Sequence, residues 1–153
     1  MISSKRLRIG AIILQDGKLV SMYRERQGRV YYTFPGGGAE KGESEQECVV
    51  REVYEEFGIN VKPIKKVYTY ENDRAIEHYY ICEWVSGEFG TGQGEEYDLN
   101  QPYGVYKPVM IEVLDIPNLP LMPPELAKEF YCDYIKNGSK LCDEVKFLYS
   151  TTK

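Results

Sequence analysis

The stretch that most constrains this chain runs from Gly37 to Ile59, with Phe34-Pro35-Gly36 as its lead-in. A glycine-dense segment, Gly37-Gly38-Ala39-Glu40-Lys41-Gly42-Glu43-Ser44, leads into the glutamate-rich Glu45-Gln46-Glu47-Cys48-Val49-Val50-Arg51-Glu52-Val53-Tyr54-Glu55-Glu56-Phe57-Gly58-Ile59. The glycines read as a loop whose backbone can take φ > 0 and approach a ligand closely. The second half predicts one helix. Ser44 with Glu47 three residues on is a capping-box pattern, and Gly58 is a natural C-terminal stop. At 3.6 residues per turn Val49, Val50, Val53 and Phe57 share one side, the stripe a sheet would cover.

Glu52, Glu55 and Glu56 fall beside that stripe within an arc of roughly 100°. Like charges three and four residues apart destabilise a helix, so folding alone gives no reason to gather them. A solvated acidic face is the ordinary reading of a glutamate-rich helix. The glycine segment directly upstream and Arg51 inside the cluster turn the reading toward a hard divalent cation. Mg²⁺ prefers carboxylates, water and phosphate oxygens.

Gly37, Glu43, Arg51-Glu52-Val53, Glu55-Glu56 and Gly58-Ile59 match, in that spacing, every defined position of the Nudix box. On those residues the chain resembles the Nudix hydrolases, in particular the MutT-like bacterial members. The resemblance implies an α/β Nudix fold, a mixed β-sheet sandwiched between helices (α/β/α), as one domain over residues 1–153. It implies attack of water on a nucleoside diphosphate linked to another moiety, with Mg²⁺, or Mn²⁺ in its place, as cofactor. Glu52, Glu55, Glu56 and the Gly36 carbonyl would hold the metal, and Glu52 is also a candidate base. Arg51 would orient the cluster, and Glu43 would hold the loop against the helix. Family members recruit a further carboxylate from a later loop, for which Glu95 and Glu96 are candidates, Glu96 preferred. The proline typical of ADP-ribose hydrolases is missing, since Asp73, Arg74 and Ala75 stand there. Tyr79 is out of register for the dinucleoside-polyphosphate pattern. Elimination leaves a MutT-like nucleoside triphosphate pyrophosphatase, with hydrolases of other Nudix substrates and a non-catalytic nucleotide sensor as alternatives. The resemblance also favours a homodimer.

At 153 residues the chain is long enough to bury a sizeable core. Its net charge is −5 and its lysines and arginines are scattered along the sequence, without the stripe of a duplex binder. A small-molecule nucleotide, rather than a nucleic acid, is the expected partner. Cys48, Cys82, Cys132 and Cys142 lack CxxC spacing and His78 is the single histidine, which argues against a zinc site. Reduced thiols, no signal-like N-terminus and no membrane-length apolar run predict a cytoplasmic protein with no membrane partner.

Along the chain, Leu7 to Leu14 reads as a strand, Asp16-Gly17 as a hairpin turn and Leu19 to Arg24 as the returning strand. Val30 to Phe34 is a third strand after the turn at Gln27-Gly28-Arg29. Val61 to Tyr70 and Ile76 to Val85 form a second hairpin around Asn72-Asp73-Arg74. His78, on that hairpin, is a candidate base but more ordinarily a pairing residue. Tyr70, Tyr80 and Trp84 are candidate stacking residues whose ordinary role is core. Ser86 to Pro102 reads as a long loop. Val105 to Val113 is a strand, Glu125 to Lys136 a second amphipathic helix, and Leu141 to Tyr149 a final strand or surface segment.

Overall fold

The computed structural model describes residues 5–92 and 104–151. Strand β1 (Arg6–Gln15) lies at the centre. It turns through Asp16 and Gly17, both at positive φ (52° and 77°), into β2 (Lys18–Arg26). Two left-handed residues in a two-residue connection are the turn whose twist matches antiparallel strands. The same device at Gln27 and Gly28 (52° and 78°) joins β2 to β3 (Arg29–Thr33). Both turns were legible in the sequence.

A short strand β4 (Gly36–Gly38) pairs antiparallel with β1, and helix α1 (Glu45–Phe57) follows. The hairpin of β5 (Ile59–Glu71) and β6 (Ala75–Gly87) comes next, and β6 runs parallel to β1. Strand β7 (Val105–Glu112) pairs with β2. A 3-10 turn (Val113–Asn118) and the two-residue β8 (Leu121–Met122) then lead to α2 (Pro124–Asn137) and β9 (Lys146–Tyr149). The sheet is mixed and nine-stranded, with the main path β8-β3-β2-β1-β6-β5-β9.

Strand side chains alternate between faces, and β1 shows why the sheet needs a helix on each side. Ile9, Ala11 and Ile13 pack with Val49, Val53 and Phe57 of α1, while Ile12 packs with Leu126 and Phe130 of α2. Both faces of β1 are therefore apolar. The α/β/α sandwich expected from the sequence is what forms.

Asp133 on α2 is buried yet satisfied. It accepts from the Tyr68 hydroxyl (2.6 Å) and from Lys146 Nζ (2.7 Å), tying α2 to β5 and β9. Removing it strands the buried Tyr68 hydroxyl and leaves Lys146 with Glu129 as its remaining carboxylate partner. Asp133→Ala should cost about 2–4 kcal/mol by urea denaturation, and a loss under about 0.5 kcal/mol would show that the pair carries no stability.

Candidate functional site

Helix α1 is fixed at both ends. Ser44 Oγ accepts from the Glu47 amide (3.0 Å), and Glu47 Oε1 accepts from the Ser44 amide (2.8 Å), completing the capping box. Gly58 ends the helix at φ 76°, its amide donating to the Tyr54 carbonyl at 2.9 Å. The chain after β6 then closes over that end. Gly90 donates to the Phe57 carbonyl (2.9 Å), and a Cβ on Gly92 would sit 2.4 Å from the Glu55 carbonyl oxygen.

Arg51 is the hub. Its Nε and Nη2 hold Glu43 (2.7 and 3.1 Å), and its Nη1 holds Glu52 and Glu55 (2.8 Å each). Nη2 also reaches the Gly38 carbonyl at 3.3 Å. One guanidinium thus pins three carboxylates and the glycine segment, which a point-charge ammonium cannot do. Hydrogen bonds from Arg51 hold the Glu43 carboxyl down at about 2. Glu43 and Arg51 therefore fasten the glycine segment to the helix.

Glu56 lies with the apolar stripe rather than beside it. It is 3% exposed, and its Oε1 accepts from the Gly36 amide at 2.9 Å. Glu52 leans on the next residue of the same segment: a Cβ on Gly37 would fall 2.2 Å from Glu52 Oε2. A Cβ on Gly36 would fall 2.3 Å from the Ile9 carbonyl oxygen. The loop expected at the first glycines is in fact strand β4. Those residues are glycine because β1 and the Glu52 carboxylate approach from two sides. Of that segment's glycines, Gly42, beyond the strand, stands at φ 82° with open space around it, as a turn requires. The Cys48 thiol beneath the strand is pushed up to about 12, chiefly by burial, and is inert.

The other sequence candidates lie apart. His78 Nδ1 faces both oxygens of Glu45 at 3.0 Å, and Tyr80 donates to Glu45 Oε1 at 2.8 Å, so both are tied to the first turn of α1. Tyr70 is buried in the α2 cluster, where it also lines a cavity with Phe34 and Tyr79, and Trp84 packs on Phe89. Glu95 and Glu96 fall outside the described residues. Sequence reasoning missed a cavity of about 330 Å³ lined by Arg8, Thr33, Phe34, Asn72, Glu77 and Tyr79. Its wall is drawn from β1, β3, β5, β6, β8 and the start of α2, which no local spacing reveals.

The donor set fits a hard divalent cation. Glu52, Glu55 and Glu56 offer only carboxylate oxygens, and the glycine strand lies in contact with Glu52 and Glu56. Among the described residues no three acidic, histidine or cysteine side chains converge on a single point, since Arg51 joins Glu52 to Glu55 while Glu56 turns to Gly36.

Fold and site together define an α/β domain built around an acidic helix and a glycine strand. A family model described as the NUDIX domain matches residues 4–107. The Nudix hydrolase YvcI of Bacillus subtilis is 31% identical over 126 residues, covering 76% of this chain and 72% of that one. An RNA pyrophosphohydrolase of Vibrio cholerae is 36% identical over 64 residues, 42% of this chain; the match spans only 37% of that protein's length. A Nudix hydrolase structure from Nitrosomonas europaea superposes with a TM-score of 0.73 at 13% identity, covering 98% of this chain and 81% of that one. The chain belongs to the Nudix family. No helix among the described residues is long and apolar enough to cross a membrane.

Proposed function

We propose that this protein is a metal-dependent pyrophosphohydrolase that cleaves a P–O–P bond of a nucleoside diphosphate linked to another group, with a nucleoside 5′-triphosphate as substrate in the MutT-like manner. The observation that carries the reading is the contact of Glu52 and the buried Glu56, one helical turn apart on α1, with Gly37 and Gly36 of the glycine strand. Mg²⁺, or Mn²⁺ of similar oxygen preference, would be held by Glu52, Glu55, Glu56 and the Gly36 carbonyl, and would neutralise phosphate charge and acidify a bound water.

The remaining work belongs to the chain. Glu56 is oriented by the Gly36 amide, and Arg51 fixes the rotamers of Glu52 and Glu55. Glu52 is the base assigned to the attacking water, with Glu96, and then Glu95, the candidate for a further carboxylate. Phe34, two residues from Gly36, meets Tyr79 edge-to-face at 5.5 Å in the wall of the 330 Å³ cavity. An aromatic wall beside Asn72 and Glu77 suits a base that must be both packed and hydrogen-bonded.

Turnover of a panel spanning dNTPs, oxidised dGTP, ADP-ribose, diadenosine polyphosphates and nucleotide sugars, with Mg²⁺, tests this. Triphosphates should give the highest kcat/KM. Preference for ADP-ribose or a nucleotide sugar overturns the substrate class, and a nucleotide-dependent rise in Tm without product overturns catalysis. The likeness to an RNA pyrophosphohydrolase supports a second reading, in which the triphosphate stands at the 5′ end of RNA.

A further inference from the structure

Strand β1 carries two arginines that its packing does not use. Leu7 and Ile9 pack into the α1 cluster, so alternation turns Arg6, Arg8 and Gly10 to the other face, toward α2. Gly10 agrees with that placement, since a Cβ there would fall 2.4 Å from the Tyr79 ring. Arg8 lines the cavity of about 330 Å³ together with Phe34, Asn72, Glu77 and Tyr79. Arg6, exposed at the head of the strand, lies over Gly38: a Cβ on that glycine would fall 3.0 Å from Arg6 Nη2.

Among the described residues neither guanidinium donates a hydrogen bond or joins an ion pair. Glu77 stands opposite Arg8 across the β1–β6 pair, but its Oε1 accepts from the Tyr79 hydroxyl. Acidic residues outnumber lysines and arginines 24 to 19, and Lys5, Arg51, Lys66 and Lys146 each find a carboxylate. Two arginines left without one, side by side on a strand, are free to take an anion from outside.

The glycine strand joins this face to the acidic one. Successive residues of β4 present opposite faces, so Gly37 meets the Glu52 carboxylate and Gly38 meets Arg6. Arg51 reaches the same glycine from α1, its Nη2 3.3 Å from the Gly38 carbonyl. Strand β4 pairs with β1 alone among the described residues, and no side chain of its own stands between the arginines and the carboxylates.

We propose that Arg6 and Arg8 bind the phosphates of the substrate, holding the non-bridging oxygens of a polyphosphate whose base rests in the aromatic cavity. This role rests on the pyrophosphohydrolase reading for the identity of the ligand. A guanidinium presents paired donors that match phosphate oxygens and keeps its charge throughout the range in which proteins fold. The glutamates of α1 by themselves repel a polyphosphate, and cations on the adjoining face supply the missing attraction.

Calorimetric titration of the whole chain with Mg²⁺ tests the assignment, using two ligands. One is a nucleoside 5′-triphosphate analogue with methylene groups in place of the bridging oxygens, and the other is inorganic tripolyphosphate. Arg6→Gln and Arg8→Gln should each weaken both ligands about 10–100-fold, and the lysine variants should recover part of the loss. In turnover of the natural triphosphate the same variants should raise KM while kcat changes less than about threefold. Melting should move by no more than about 2 °C, because neither arginine has an internal partner to lose. Should a glutamine variant fail to fold, its lysine counterpart carries the comparison. Unchanged binding of both ligands overturns the assignment. A loss confined to the nucleoside analogue, with tripolyphosphate bound as by the native protein, also overturns it, since the arginines would then serve the base. Binding that depends on both arginines, without turnover of any triphosphate, upholds the phosphate contacts and removes the enzymatic reading.

Discussion

Glu56→Gln is expected to lower kcat by about 10²–10³-fold, the scale on which loss of one preorganised electrostatic contact acts, with the fold unchanged. Glutamine keeps the oxygen that accepts from the Gly36 amide, so the buried hydrogen bond at 2.9 Å survives the change. What is removed is the negative charge that a divalent cation requires. Glu55→Gln should fall in the same range with an even smaller effect on stability, because Glu55 is the more exposed of the two. Steady-state turnover with the preferred nucleotide, alongside thermal melting without metal, separates the outcomes. Near-native turnover by Glu56→Gln would remove this glutamate from the ligand set. A collapsed melting temperature would show that its role is the interior.

Arg51→Ala should have the largest effect on stability of any substitution in the site, about 2–4 kcal/mol, because it strips three carboxylates of a shared counter-charge at once. Arg51→Lys should recover only part, since an ammonium cannot span Glu43, Glu52 and Glu55 together. The effect should depend on pH with a definite sign. Glu43 titrates near 2 in the folded protein, held down by the Arg51 hydrogen bonds, against an ordinary value of 4.5. A depressed carboxyl contributes stability above its unfolded value and loses it as pH falls toward the folded one. The gap between native and Arg51→Ala stability should therefore be full above about pH 5 and close between about pH 4.5 and 2. Urea denaturation at pH 7 and pH 3 measures it. A gap of equal size at both would mean that Arg51 stabilises by packing its stem.

Local signals carried most of the secondary structure. Asp16-Gly17, the Ser44–Glu47 box and Gly58 each act within four residues, and all three formed as their chemistry dictates. The α/β/α layering was legible because the apolar stripe on α1 and the β-branched run of β1 each require a partner surface. Strands β4 and β8, three and two residues long, carried no periodicity, because their pairing is decided by β1 and β3. The helical wheel set Glu56 beside the apolar stripe and could not foresee its burial, where it accepts from the Gly36 amide.

The glycine strand has a thermodynamic consequence. Because Gly36 to Gly38 are already paired in register with Gly10, Ile9 and Arg8, the configurational freedom of three permissive residues is surrendered when the chain folds and not when a ligand arrives. Capture of a polyanion then faces a smaller opposing entropy, as in any receptor whose floor is rigid beforehand.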